Sequence, residues 1–253
     1  MAKDLRSIVK KIDELPTLPQ VVTVILSLID SPDSSAEDIN KVMEKDPSLV
    51  GKILKLVNSA YYGLPNKVNS VRQAIVILGF STVKSLAISA SVFDMFDSTR
   101  EASFNREEFW THSIGTGCVA RLVGHREPGV DEETAFVAGL LHDIGKMVLD
   151  QYAPHEFDAI INAAQTRKLS FYQAEKEVLV ETNHAEIGAW VGEQWKLSEE
   201  LVGAIRYHHE VSVPEHHDTR KLAGICRFSN FICQKRNVDS SGNYCKPELD
   251  SET

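Results

Sequence analysis

From Val21 onward, apolar residues recur at three- and four-residue intervals in one segment after another, and no run alternates as a half-buried strand would. A chain patterned this way can bury its side chains only by packing helix on helix, so the spacing predicts an all-α fold. Val21, Val22, Val24, Ile25, Leu28 and Ile29 form a first apolar face, entered through Pro16 and Pro19 and closed at Ser31-Pro32. A short helix capped by Ser34 or Ser35 runs through Asp38, Ile39, Val42 and Met43. Asp46-Pro47 then reads as an N-cap with proline at N1, ahead of a stripe of Leu49, Val50, Ile53, Leu54 and Val57. Ser70 starts a helix with Val71, Ala74, Ile75 and Leu78 inward, Gly79 supplies its end, and Ser81 opens another toward Phe96.

The polar stretch from Asp97 to Glu107 suits a junction between two helical lobes, an N-terminal one over 1–100 and a second over 101–236. In the second, helices are expected near 107–124, 131–151, 155–167, 170–179, 183–195, 198–209 and 219–235. Residues 237–253 are rich in Ser, Asp, Asn and Gly and are expected to form a loosely held polar tail. No stretch approaches the roughly 18 consecutive apolar residues of a membrane span, and Met1-Ala2-Lys3-Asp4-Leu5 lacks a signal-peptide core, so no membrane partner and a cytoplasmic location are expected. Cys118, Cys226, Cys233 and Cys245 show no CxxC pairing, which removes zinc-finger and thioredoxin-like readings and fits reduced thiols.

Charge is unevenly spread. Residues 1–100 carry 12 Lys/Arg against 11 Asp/Glu, while residues 101–253 carry 15 against 25. An acidic surface repels phosphate backbones, which disfavours nucleic-acid binding by the second lobe. The two helices from Val71 to Ser89 superficially resemble a DNA-reading helix-turn-helix. The second of them (Thr82, Val83, Lys84, Ser85, Leu86, Ala87) carries one basic residue where phosphate-anchored readers bring several, so DNA is not an expected partner.

The chemistry concentrates at His142-Asp143, an adjacent imidazole and carboxylate in a pattern set by Phe136, Val137, Leu140, Leu141, Ile144, Met147 and Val148. Burying both is costly unless each has a partner, and a divalent metal satisfies both at once. Successive helix positions diverge by about 100°, so the pair can grip an ion only with help from other helices. His112, His184 and the pair His208-His209 stand beside other helix-forming runs. Imidazoles with a carboxylate suit zinc, iron, manganese or nickel. A lone histidine is more often a solvated cap or hydrogen-bonded core group, and that reading is preferred for His125, His155, His216 and His217. Lys146, one turn from His142, is either a phosphate-facing cation or a snorkelling surface lysine.

Several spaced motifs carry a family resemblance. Leu15-Pro16-Thr17-Leu18-Pro19, Asp46-Pro47-Ser48-Leu49, Leu56 to Gly63 and Ala74 to Gly79, then Phe109 to Ser113, Ala138 to Lys146 and His184 to Gly188, together resemble the HDOD branch of the HD superfamily of metal-dependent phosphohydrolases. The resemblance implies an all-α fold of two helical lobes and a role as a bacterial signal-transduction module. It implies a first metal site of His112, His142 and Asp143, with Asp143 bridging to a second. His184, His208 and His209 match the additional ligands of dinuclear relatives such as the HD-GYP cyclic-dinucleotide phosphodiesterases.

One departure stands out. Active HD enzymes use a late aspartate on a helix that here reads Leu222 to Phe231 and carries no carboxylate, leaving Asn230 or Ser229 in its place. A neutral amide binds a cation more weakly and cannot act as a base. The Gly-Tyr-Pro triplet of HD-GYP enzymes is also absent. The expected function is therefore a signalling module with a metal-binding His/Asp cluster and little or no hydrolase activity, whose partners are signalling proteins or a nucleotide ligand. The alternative is a metal-dependent phosphohydrolase acting on a nucleotide or cyclic-dinucleotide phosphodiester, with Asp143 and Lys146 as its catalytic residues.

Overall fold

The computed structural model describes residues 23–24, 35–43, 46–58, 62–96, 105–179, 182–238 and 242–245. Apart from Thr23 and Val24, the helix expected over 21–29 lies outside these residues. Among the described residues there is no strand, and the chain is all-α. It divides into two compact units, one within 16–97 and the other taking in 98–253.

The first unit contains α1 (Ala36–Met43), α2 (Pro47–Val57) and α3 (Val71–Met95). Ser35 and Asp38 bond each other's main-chain N–H at the start of α1, and the Asp46 carboxylate accepts from Leu49 N–H ahead of Pro47 in α2. Leu49, Ile53 and Val57 then face inward. Asn58 pins the following loop by exchanging two hydrogen bonds with Val68. At Gly79 the backbone of α3 leaves helical geometry, with φ 82°, a region open to glycine, so α3 is two helices meeting at a bend. By length and mean hydropathy the one helical segment Val71–Val92 is, among the described residues, long and apolar enough to cross a membrane, although polar residues such as Arg72, Gln73 and Lys84 interrupt its apolar run. The bend and the burial of 61% of that window inside the unit are those of a core helix. Thr82, Val83, Ser85 and Leu86, in the helix after the bend, are buried.

The second unit comprises α4 (Arg106–Gly124), α5 (Glu132–Leu141), α6 (Ile144–Tyr152), α7 (Pro154–Arg167), α8 (Phe171–Val178), α9 (His184–Gln194), α10 (Glu199–Tyr207) and α11 (His217–Lys235). Side-chain caps start five of them: Asn105, Asp131, Ser170, Asn183 and Ser198. Small residues let α4 and α5 approach closely, since a Cβ on Gly139 would lie 2.9 Å from the Thr116 carbonyl oxygen and from Ala120. Ala120, Ala135, Ala138, Ala204, Leu222, Ile225 and Cys226 close the core between α4, α5, α10 and α11.

The single helix expected over 131–151 is instead two, α5 and α6, broken at His142-Asp143. Asp143, with φ −101° and ψ 9°, lies outside the helical region. The break frees the pair from the 100° divergence that one continuous helix would impose. The polar segment after α11 is not loose where it is described. Asn243 accepts from Phe171 N–H, Tyr244 N–H donates to the Leu169 carbonyl, Gln165 donates to the Tyr244 hydroxyl, and Gly242 rests against Phe171 and Ile161.

Candidate metal centre

Five imidazoles and one carboxylate converge inside the second unit. His112 comes from α4, His142 and Asp143 from the α5–α6 break, His184 from the first position of α9, and His208-His209 from the end of α10. All are buried except His209, which is partly exposed. Their ligand atoms fall into two sets, each within 4.8 Å: Asp143, His184, His208 and His209, and His112, His142 and Asp143. Asp143 belongs to both. His125, His155, His216 and His217 are exposed and lie outside both sets.

The ring nitrogens are sorted by their neighbours. Nδ1–H of His142 donates to the Gly139 carbonyl at 2.7 Å, that of His208 to the Ile205 carbonyl at 2.7 Å, and that of His112 to the Val238 carbonyl at 3.2 Å. Carbonyls only accept, so these rings carry their hydrogen on Nδ1 and turn an Nε2 lone pair inward. Inside the cluster, Nε2 of His142, Nε2 of His208 and Oδ1 of Asp143 have no hydrogen-bond partner. His142 Nε2 lies 3.2 Å from Asp143 Oδ2, and His208 Nε2 lies 3.7 Å from Asp143 Oδ1. Lone pairs facing one another in a dry interior repel, and a shared cation relieves them. Metal–ligand bonds of about 2.0–2.2 Å need only small side-chain movements from here.

Protonation agrees with this sorting. Burial, helped by His142, pushes His112 down to about 4, and burial likewise takes His208 to about 4. His209 is held well below its ordinary value by burial and by His208. These three are neutral at pH 7, the state in which imidazole ligates. His184 goes the other way: burial lowers it, but the neighbouring carboxylates of Glu175 and Asp143 outweigh burial and raise it. Burial also pushes the Asp143 carboxyl up, yet His142 and Lys146 beside it hold it well below the usual carboxylate range.

Lys146 is neither a snorkelling lysine nor a free phosphate-facing cation. Its side chain is 2% exposed, its Nζ donates to Asp143 Oδ2 at 2.7 Å, and it sits 4.9 Å from the centre of the Phe171 ring. Of the two residues standing where a late aspartate is missing, Asn230 is the one at the cluster. Its Oδ1 lies 3.1 Å from His112 Nε2 and accepts from Gln234. Replacing it as Asn230→Asp supplies an anionic donor beside a neutral imidazole. The variant should retain divalent metal at the His112 side about tenfold more tightly, measured as metal content after desalting. Unchanged content would show that the amide is not what limits that side.

The sequence reading missed three contributors. Glu175 bonds His184 twice, Tyr172 stacks on His209 with ring centroids 4.1 Å apart, and Val238 lends its carbonyl to His112. A carboxylate on the apolar face that Phe171 and Ala174 make on α8 was the available signal for Glu175.

A family model described as the HDOD domain matches residues 15–211. The chain belongs to the HDOD family. Among solved structures, an HDOD domain protein with unknown function from Geobacter sulfurreducens matches at TM-score 0.84 and 26% identity, over 97% of this chain and 80% of that one. A protein of Shewanella amazonensis SB2B, provisionally named a phosphohydrolase, matches at TM-score 0.77 and 28% identity, over 92% and 82%. An uncharacterized protein of Treponema pallidum (strain Nichols) is 28% identical over 229 residues, 88% of this chain and 43% of that protein. This HDOD chain spans less than half the length of the curated relatives it matches. The HDOD match ends before α11, so Asn230 lies beyond it.

Proposed function

We propose that this HDOD chain is a cytoplasmic regulatory module of a bacterial signalling system. A divalent metal, one ion or two, holds its second unit together, and it turns over phosphodiesters slowly or not at all. Signalling proteins or a nucleotide ligand are the partners it serves. The observation that carries the reading is the set of buried, unpartnered ligand atoms on His142, His208 and Asp143, aimed at one another with every opposing ring nitrogen engaged. Five imidazoles and a single carboxylate suit iron, zinc, manganese or nickel. Such a metal supplies Lewis acidity, lowering the pKa of a bound water and offsetting phosphate charge. The chain's own residues favour retention over turnover: Asn230 stands beside His112 without a charge, and Lys146 is committed to Asp143.

Purification without chelator, metal analysis, and melting with and without EDTA test the reading. A site filled to about 100 times its Kd adds about 2.7 kcal/mol to the native state. Chelation should therefore lower Tm by about 5–10 °C. An unchanged Tm, with no metal found, overturns the proposal.

The second reading, a working phosphohydrolase, is favoured by the partial exposure of His209 beside Tyr172, which gives the cluster an edge toward solvent. Hydrolysis of a nucleotide and cyclic-dinucleotide panel that disappears in Asp143→Ala would put this reading first.

A further inference from the structure

We propose that Glu175 is a positioning residue for the metal centre, holding His184 as the tautomer whose Nε2 is free to ligate and so setting the affinity of the Asp143, His184, His208 and His209 set. The inference rests on the metal reading above.

His142 and His208 need no outside help to choose a tautomer. Each follows a helix and gives its Nδ1–H to the carbonyl three residues back, Gly139 and Ile205. His184 is the first residue of α9 and has no preceding helical turn to supply that carbonyl. Its main-chain N–H is also among the groups a helix leaves unbonded at its start. Glu175, wholly buried on α8, meets both needs: one carboxylate oxygen accepts from His184 N–H at 2.9 Å and the other from Nδ1–H at 2.7 Å. Two bonds to one residue fix both the ring and the strand of chain that bears it. Nε2 is left 3.0 Å from Asp143 Oδ1 and 3.1 Å from His209 Nε2.

The burial of Glu175 points the same way. A buried carboxylate needs a counter-charge, and among the described residues its ion-pair partner is His184, with no Lys or Arg at that distance. An imidazole bonded to a metal ion provides the positive end of such a pair, a carboxylate–histidine–metal arrangement. The support of α8 is itself well made. A capping box joins Ser170 and Gln173, Asn243 takes the Phe171 N–H, and the Phe171 ring lies 5.5 Å from that of His184.

Glu175→Gln is the discriminating change because it preserves shape and reverses one hydrogen. The amide oxygen still accepts from His184 N–H, but the NH2 group presents a hydrogen to Nδ1, which becomes an acceptor and moves the ring hydrogen to Nε2. In the metal-free 253-residue chain labelled with 15N, the ring-nitrogen NMR of His184 should show a protonated Nδ1 in the parent and an unprotonated one in the variant. Co2+ titration should show Kd raised about 10- to 100-fold. Glu175→Asp keeps an acceptor-only group, so it should retain the Nδ1–H tautomer and bind Co2+ more tightly than the glutamine variant. A merely structural role would lower the metal-free Tm equally in both variants and leave the tautomer alone, which overturns the proposal. So does Co2+ binding by Glu175→Gln within threefold of the parent. If the parent binds no Co2+, the metal reading fails, and the tautomer comparison alone decides whether Glu175 orients His184.

Discussion

Asp143→Ala should destabilise the second unit by about 3–5 kcal/mol even without metal, and should remove its sensitivity to chelators. The Lys146 ammonium is almost fully buried and donates to Asp143 Oδ2. Removing the carboxylate takes from that buried ammonium the anion at 2.7 Å to which it donates. His184 loses the carboxylate neighbour of its Nε2 in the same step. Because Asp143 belongs to both ligand sets, no arrangement of the remaining imidazoles recovers either one intact. Urea unfolding of the variant, with and without EDTA, measures both effects. A midpoint equal to the parent's, or one that still moves on chelation, would show that Asp143 is not the hub of the cluster.

Gly145→Ala should be at least as damaging, at about 4 kcal/mol or more. A Cβ on Gly145 would stand 1.9 Å from the His184 carbonyl oxygen and 2.8 Å from the Gly188 main-chain nitrogen. Both obstacles are backbone, so relief requires α6 and α9 to separate, and α9 begins with His184. The substitution therefore acts on fold and ligand geometry together. Gly224→Ala in α11 is the internal control: nothing lies within 4 Å of its added Cβ, so it should be neutral or stabilising by up to about 1 kcal/mol. Thermal melts followed by circular dichroism compare the two. Similar melting temperatures for both variants would refute the close α6–α9 contact.

Which parts of this were legible in the sequence follows from what each depends on. Asp46-Pro47 and Gly79 act locally, through a cap and a backbone preference, and both stand in the structure where the sequence puts them. The convergence of His112, His142, Asp143, His184, His208 and His209 was legible because each sits beside an apolar run that must turn inward. The break between α5 and α6 was not, since Phe136 to Val148 keep a helical spacing straight across it. That interruption sits next to the close approach of Gly145 to α9, a tertiary contact that no local spacing announces. Lys146 was ambiguous for a related reason: a lysine on a helix says nothing of the carboxylate that will neutralise it. Glu175 and Val238 escaped because their work is done for ligands far away in the chain, by a side chain on α8 and by a carbonyl that any residue could supply.

The segment behind α11 has a practical meaning for anyone handling the protein. Val238 steadies His112, and a few residues later Gly242, Asn243 and Tyr244 grip the start of α8, the helix that carries Tyr172 and Glu175. A purification tag, reporter or fused domain attached just after Cys245 is therefore no neutral handle. Strain placed there is passed to His112 and to the helix bearing Tyr172 and Glu175 through one short tether.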